Sequence, residues 1–182
     1  MNDARRQLLA LLKEKSFRYS PEKPFRLASG RVSPYYVDCR PVSHSARGLA
    51  LIGEILFEMV QDLDIRAAGG LTMGADPLAH ALALVSYQKG RPIDAFSVRK
   101  FSKDYGAGGL IVGPVAPGDP VAVLEDVITT GGSLRQAISA ARDFGLVVRG
   151  VIILVDRQEG GRETVEELVR PVRTVFTLEE LK

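Results

Sequence analysis

The sequence predicts an α/β domain built on a mainly parallel central sheet flanked by helices. Three observations carry that reading. Strand and helix patterns alternate from about Ile65 onward. Apolar runs such as Val151-Ile152-Ile153-Leu154-Val155 fit strands covered on both faces. Helix starts and stops carry capping residues and glycines.

Taken in order, Ala4 to Lys15 reads as a helix, with Leu8, Leu11 and Leu12 on one face. Ser16 to Arg40 reads as short strands and turns, because Ser29-Gly30 and Ser33-Pro34 break up its apolar residues. Residues 1–40 are expected to form a small N-terminal hood on a core of residues 41–182. Ser45 opens a helix to about Asp62. Ile65 to Leu71 reads as a strand and Thr72 to Gly74 as a loop. Asp76-Pro77 starts a helix, Asp as cap and Pro at the first helical position, and Gly90 stops it. Ile93 to Val98 is a strand, Arg99 to Gly109 a loop, and Leu110 to Val112 a short strand. Val121 to Val127 is a strand, Ser133 to Phe144 a helix and Val147 to Val155 a strand. Glu163 to Val169 is a short helix, Thr174 to Phe176 a last strand, and Thr177 with Glu180 forms a capping box.

The chain has 182 residues, a length that suits one domain. Net charge is +2, too balanced for a nucleic-acid coat. The single Cys39 forms no intramolecular disulfide, which fits a reducing, cytoplasmic setting. The two histidines, His44 and His80, and the cysteine lie far apart and show no metal-ligand spacing. The sequence contains no apolar run long enough for a membrane helix.

In an open α/β sheet, ligands bind beyond the carboxyl ends of the strands. The most informative such end is Glu125-Asp126-Val127-Ile128-Thr129-Thr130-Gly131-Gly132-Ser133. A strand runs into two carboxylates, then into a turn whose N–H groups and hydroxyls stand at a helix N-terminus. That turn suits a phosphate, and the carboxylates suit vicinal hydroxyls. Together they describe a ribose 5-phosphate. A capped helix after a strand is the plain alternative, but a Glu-Asp pair at the end of a buried strand is costly to leave idle. By position alone, Arg157 serves equally as a fork for a planar carboxylate or as the ion-pair partner of Glu159. The Arg99–Gly109 loop, with Arg99, Lys100 and Lys103, reads by composition as a solvated charged loop; its place after a strand favours a cationic clamp.

The Glu125–Ser133 stretch resembles the phosphoribosyl-diphosphate (PRPP) motif of type I phosphoribosyltransferases. Phe25-Arg26-Leu27-Ala28-Ser29-Gly30-Arg31-Val32-Ser33-Pro34-Tyr35-Tyr36-Val37-Asp38 is similar to the N-terminal segment of the orotate phosphoribosyltransferase family. Gly69 to Ala79 resembles that family's diphosphate loop, Val98 to Gly106 its mobile loop, and Asp156-Arg157-Gln158-Glu159-Gly160-Gly161 its orotate segment. The resemblance covers nearly the whole chain, in order. It implies the type I phosphoribosyltransferase fold and transfer of the 5-phosphoribosyl group from PRPP to orotate, with Mg²⁺, giving orotidine 5′-monophosphate and diphosphate.

The resemblance places PRPP on Glu125, Asp126, Val127, Ile128, Thr129, Thr130, Gly131, Gly132 and Ser133, on Thr72 and Met73, and on Arg99, Lys100, Lys103 and Tyr105. It places orotate on Thr129, Arg157 and Tyr36. Asp126, Glu125, Lys103, Arg99 and Lys100 are the catalytic candidates, and no side chain is assigned to the metal. It further implies a homodimer whose Arg99–Gly109 loop reaches the neighbouring site, no nucleic-acid or membrane partner, and a non-proline cis peptide at Leu71–Thr72. The chain departs from the family pattern at Phe101, commonly Glu, and at Tyr105, commonly His. Two other readings are a PRPP-binding regulatory protein with little turnover and a phosphoribosyltransferase for another base. Diphosphate release with orotate, uracil and purines in turn separates the three.

Overall fold

The computed structural model describes residues 3–27, 30–100 and 109–182. Helix α1 (Asp3–Lys15) is followed by four short strands, β1 (Phe17–Tyr19), β2 (Phe25–Arg26), β3 (Val32–Ser33) and β4 (Tyr35–Val37). These pair antiparallel as β1 with β4 and β2 with β3. Helices α2 (Arg40–Ser43) and α3 (Ala46–Met59) come next. Then β5 (Ala67–Leu71), α4 (Asp76–Gln88), β6 (Asp94–Val98) and β7 (Ile111–Val112) follow. The chain continues through β8 (Pro120–Ile128), α5 (Gly132–Asp143), β9 (Val147–Asp156), α6 (Gly161–Glu166), β10 (Val172–Thr177) and α7 (Leu178–Leu181).

The central sheet runs β10-β9-β8-β5-β6-β7. All its pairings are parallel except β6 with β7. Side chains alternate across a strand, so each apolar run serves two cores. Leu124, Ile152 and Leu154 join Leu8, Leu12, Ile52, Leu56, Leu78 and Leu82 on one face. Val121, Val123, Val151 and Ile153 join Leu134, Ile138 and Val165 on the other. This two-sided burial is why those strands read as continuous rather than alternating. Helix α1 inserts Leu8 and Leu12 into the first core, although the strands that follow it form separate small sheets.

Sheet topology fixes where a ligand can enter. From β5 the chain crosses to β6 on one side, and later returns to β8 on the other. The order therefore reverses between β5 and β8, and a crevice opens beyond their carboxyl ends. The loops at that crevice are Thr72–Gly74 and Thr129–Gly131.

Several local expectations shift. Ser45 caps α3 as expected, its side chain accepting from the Gly48 N–H at 3.1 Å. Ala75, not Asp76, is the N-cap of α4. Asp76 falls in the first turn instead, where it accepts a 2.7 Å hydrogen bond from Ser97 Oγ, tying α4 to β6. Helix α5 starts at Gly132 because Gly131, at φ +80°, makes the left-handed turn into it. The non-proline cis peptide is Thr72–Met73, one bond beyond the expected position. The Thr177/Glu180 capping box forms, with the Thr177 N–H donating to Glu180 Oε2 at 2.9 Å.

Candidate active site

Strand β8 delivers Glu125 and Asp126 to the crevice, and the turn into α5 follows at once. Two adjoining cavities result. The first, about 240 Å³, is bordered by Glu125, Val127, Ile128, Thr129, Thr130, Gly131, Gly132 and Ser133. It is a cup of backbone and hydroxyl groups at the start of a 12-residue helix, a setting that favours an anion. The second, about 530 Å³, is bordered by Tyr36, Asp38, Arg40, Thr72, Met73, Gly74, Lys100, Glu125, Asp126 and Ser133, among others. Glu125 borders both.

The cup holds its shape by packing backbone on backbone. A Cβ on Gly161 would lie 2.6 Å from the Thr129 carbonyl oxygen and 2.8 Å from the Gly131 nitrogen. The turn before α5 thus rests directly on the Gly160-Gly161 turn that follows Arg157. In the larger cavity Gly74 packs against a side chain instead: a Cβ there would stand 2.5 Å from Asp126 Oδ1, so any larger residue would push that carboxylate aside.

Glu125 is buried, and its carboxyl pKa is pushed well above the ordinary range, first by burial and then by the charge of Asp126. Lys100 acts in the opposite direction on the same group. Asp126 is also raised, chiefly by burial; its Oδ1 accepts from the Val127 N–H at 2.9 Å. A raised acid has a definite linkage sign. The folded state keeps the proton to higher pH than the unfolded chain does. The stability this gives is present below the unfolded value, about 4.3 for Glu, and is lost as pH rises through the folded value. Glu125→Gln should therefore melt at higher temperature than the parent at neutral pH, and the two should converge near pH 4. Melting curves at both pH values check this; an equal difference at both would show that ionisation of Glu125 carries no folding cost.

Of the cationic candidates, Lys100 borders the larger cavity. Arg99 is half-buried at the end of β6, where its N–H donates to Leu110 O at 2.8 Å and closes the base of the loop; it does not border either cavity. Lys103, Tyr105 and Phe101 lie outside the described residues. Tyr36 borders the larger cavity and stacks on Phe25, ring centroids 5.3 Å apart. Thr129 borders the smaller one.

Arg157 is buried just beyond β9 and, like Arg99, borders neither cavity. Its Nε and Nη2 reach Glu159 Oε1 at 2.9 and 2.8 Å, and Nη2 also donates to Ser33 Oγ and to the Tyr35 carbonyl at 3.3 and 3.2 Å. Its ion pair with Glu159 is thus real, and it is also the link between the end of β9 and the small N-terminal strands.

Sequence reasoning missed Asp38 and Arg40, which border the larger cavity. Asp38 Oδ1 and Oδ2 accept from Arg40 Nε and Nη2, both at 2.8 Å, and Arg40 holds the Asp38 carboxyl below its ordinary value. A signal existed: Tyr36 and Asp38 are two apart in extended chain and so share a face. The histidines lie outside both cavities; His44 Nδ1 is 3.1 Å from Ser43 Oγ and from the Arg40 carbonyl.

Comparison with known proteins gives one consistent picture. No family model matches the chain. The orotate phosphoribosyltransferase of Aquifex aeolicus is 45% identical over 177 residues, spanning 97% of either chain. The crystal structure of Mycobacterium tuberculosis orotate phosphoribosyltransferase with Fe(III) dicitrate superposes with a TM-score of 0.84 at 41% identity, covering 98% of each chain. The complex of the Mycobacterium tuberculosis enzyme with PRPP gives a TM-score of 0.80 at 36% identity, covering 100% of this chain and 93% of that one.

Proposed function

The chain belongs to the orotate phosphoribosyltransferase family, and on that premise we propose how its own residues carry the reaction. The enzyme transfers the 5-phosphoribosyl group of PRPP to orotate, giving orotidine 5′-monophosphate and diphosphate in pyrimidine biosynthesis. The observation that supports the residue assignment best is the shared wall of the two cavities. Glu125 stands between an anion cup and a larger chamber that also holds Asp126, Thr72, Met73 and Lys100.

In this reading the 5′-phosphate lies in the Thr129–Ser133 cup and the ribose hydroxyls donate to Glu125 and Asp126. The diphosphate lies along Thr72, Met73 and Lys100. Departure of diphosphate leaves positive charge on the sugar and negative charge on the leaving group. Carboxylates fixed near the first and cations near the second stabilise both at once. Orotate enters over Tyr36 and Thr129, with its carboxylate directed to Arg157.

Mg²⁺ belongs with PRPP. Asp38 and Asp126 border the same chamber and are hard oxygen donors of the kind Mg²⁺ takes, while no cluster of three ligating side chains exists among the described residues. Asp38 and Asp126 would stand beside an ion carried by the diphosphate, and the ion would supply neutralisation of the leaving group's charge.

We further propose a homodimer, in which the Arg99–Gly109 loop serves the neighbouring site; the exposed Leu84 and Tyr87 of α4 offer apolar surface for a second copy. No described helix is long and apolar enough to cross a membrane. The buried, unpaired Cys39 supports a reducing cytoplasmic setting. One assay tests the reading as a whole. With PRPP and Mg²⁺, diphosphate should be released with orotate, and not with uracil, adenine or guanine. Release with a base that has no carboxylate would overturn orotate as the substrate, and binding of PRPP without release would favour a regulatory role.

A further inference from the structure

We infer that Glu159 is a positioning residue for orotate, holding the buried Arg157 guanidinium so that its Nη1 edge faces the substrate; this rests on Arg157 being the orotate residue. Four acceptor contacts occupy the rest of the fork. Glu159 Oε1 takes Nε at 2.9 Å and Nη2 at 2.8 Å, and Ser33 Oγ and the Tyr35 carbonyl take Nη2 at 3.3 and 3.2 Å. Among the described residues, Nη1 has no hydrogen-bond partner. A guanidinium is a rigid plane, so fixing one edge fixes where the other points.

The local backbone is shaped for this contact. Asp156 Oδ1 accepts from the Gln158 N–H at 2.7 Å, and Gln158 sits at φ +58°, in the left-handed region that non-glycine residues rarely occupy. That turn brings Glu159 back beside Arg157, two residues earlier. Strain of this kind persists only where the surroundings enforce it, and it clusters at functional sites.

Charge supplies a second, independent argument. The other Glu159 oxygen, Oε2, lies 3.6 Å from Arg31 Nη1, and the Glu159 carbonyl is 3.5 Å from the same nitrogen. Two guanidinium groups therefore share one carboxylate. Glu159 is thus held from both sides, by Arg157 within and Arg31 at the rim. Arg31, more than half exposed, ties the outer side of Glu159 and so helps hold its inner oxygen, Oε1, on Arg157.

Steady-state kinetics of Glu159→Ala and Glu159→Gln test this, with Arg157→Lys as the reference. Glu159→Ala should raise KM for orotate about tenfold, the change that one hydrogen bond between charged groups corresponds to. KM for PRPP should stay within about twofold, since the lost interaction faces only one substrate. Glu159→Gln keeps an acceptor for Nε and should recover part of the loss. It also guards against a misfolded alanine variant, because glutamine leaves no buried donor without an acceptor. An unchanged or lowered KM for orotate in the folded Ala variant overturns the inference, as does a lowered KM in the Gln variant where Ala does not fold; a lowered value marks Glu159 as a competitor for Arg157. Equal rises for both substrates overturn it too. If Arg157→Lys itself leaves KM for orotate unchanged, the assignment of Arg157 fails first, and this inference with it.

Discussion

Asp126→Asn should lower kcat by about 10²-fold or more, the scale of losing one preorganised electrostatic group. The substitution keeps size and removes one charge from the wall that the proposed reaction presents to the ribose. The fold should survive, because the Asp126 carboxyl is already disfavoured as an anion by its burial. Gly74 packs against that carboxylate with no space to spare, so an amide of the same shape is the only mild substitution available. Stopped assays over a range of PRPP concentrations check the effect; an unaltered kcat in a folded variant removes Asp126 from the chemistry. The same variant tests the shared site. Lys103→Ala chains lack a loop cation, and Asp126→Asn chains lack a pocket carboxylate. Mixing the two should restore activity through heterodimers that hold one site with both residues intact. No recovery, with subunit exchange demonstrated separately, would place the loop over its own subunit's site.

Arg157→Ala is the second large effect. A lost hydrogen bond to a charged ligand corresponds to about 1.5–3 kcal/mol, or roughly 10- to 150-fold in KM for orotate. KM for PRPP should change far less. Stability should fall as well, because Arg157 is the donor that Glu159 Oε1, Ser33 Oγ and the Tyr35 carbonyl share; among the described residues Ser33 Oγ keeps only the Tyr35 N–H at 3.2 Å. The split between the two KM values, measured on folded enzyme, separates recognition from scaffold. Equal damage to both would assign Arg157 to the joint between β9 and the N-terminal strands alone.

The sequence by itself determined the architecture and most of the anion cup. Apolar runs long enough to be buried on two faces, broken by capped helices, specify a parallel sheet. A strand ending in Glu125-Asp126 and turning through Thr129 to Ser133 specifies a carboxylate pair beside a cup of N–H groups and hydroxyls at a helix start. Both are local statements, encoded in consecutive residues and governed by periodicity, turn chemistry and helix ends. What the tertiary structure alone decided is which separate loops meet. Asp38 and Arg40 border the larger cavity because the chain leaving β4 reaches the crevice; the local pattern pairs them with each other but does not say that they face the loop after β5 and the end of β8. Gly74 leaves room for Asp126, fifty-odd positions away, which stands where a side chain would go, roughly one bond length inside contact. Arg157 read equally as a ligand fork or as half of an ion pair, and the fold makes it buried, paired and hinged to Ser33 and Tyr35 at once. Those relations depend on strand order and on the switch between β5 and β8. Residues distant in sequence become neighbours only through that topology, so their chemistry is set by packing and not by spacing.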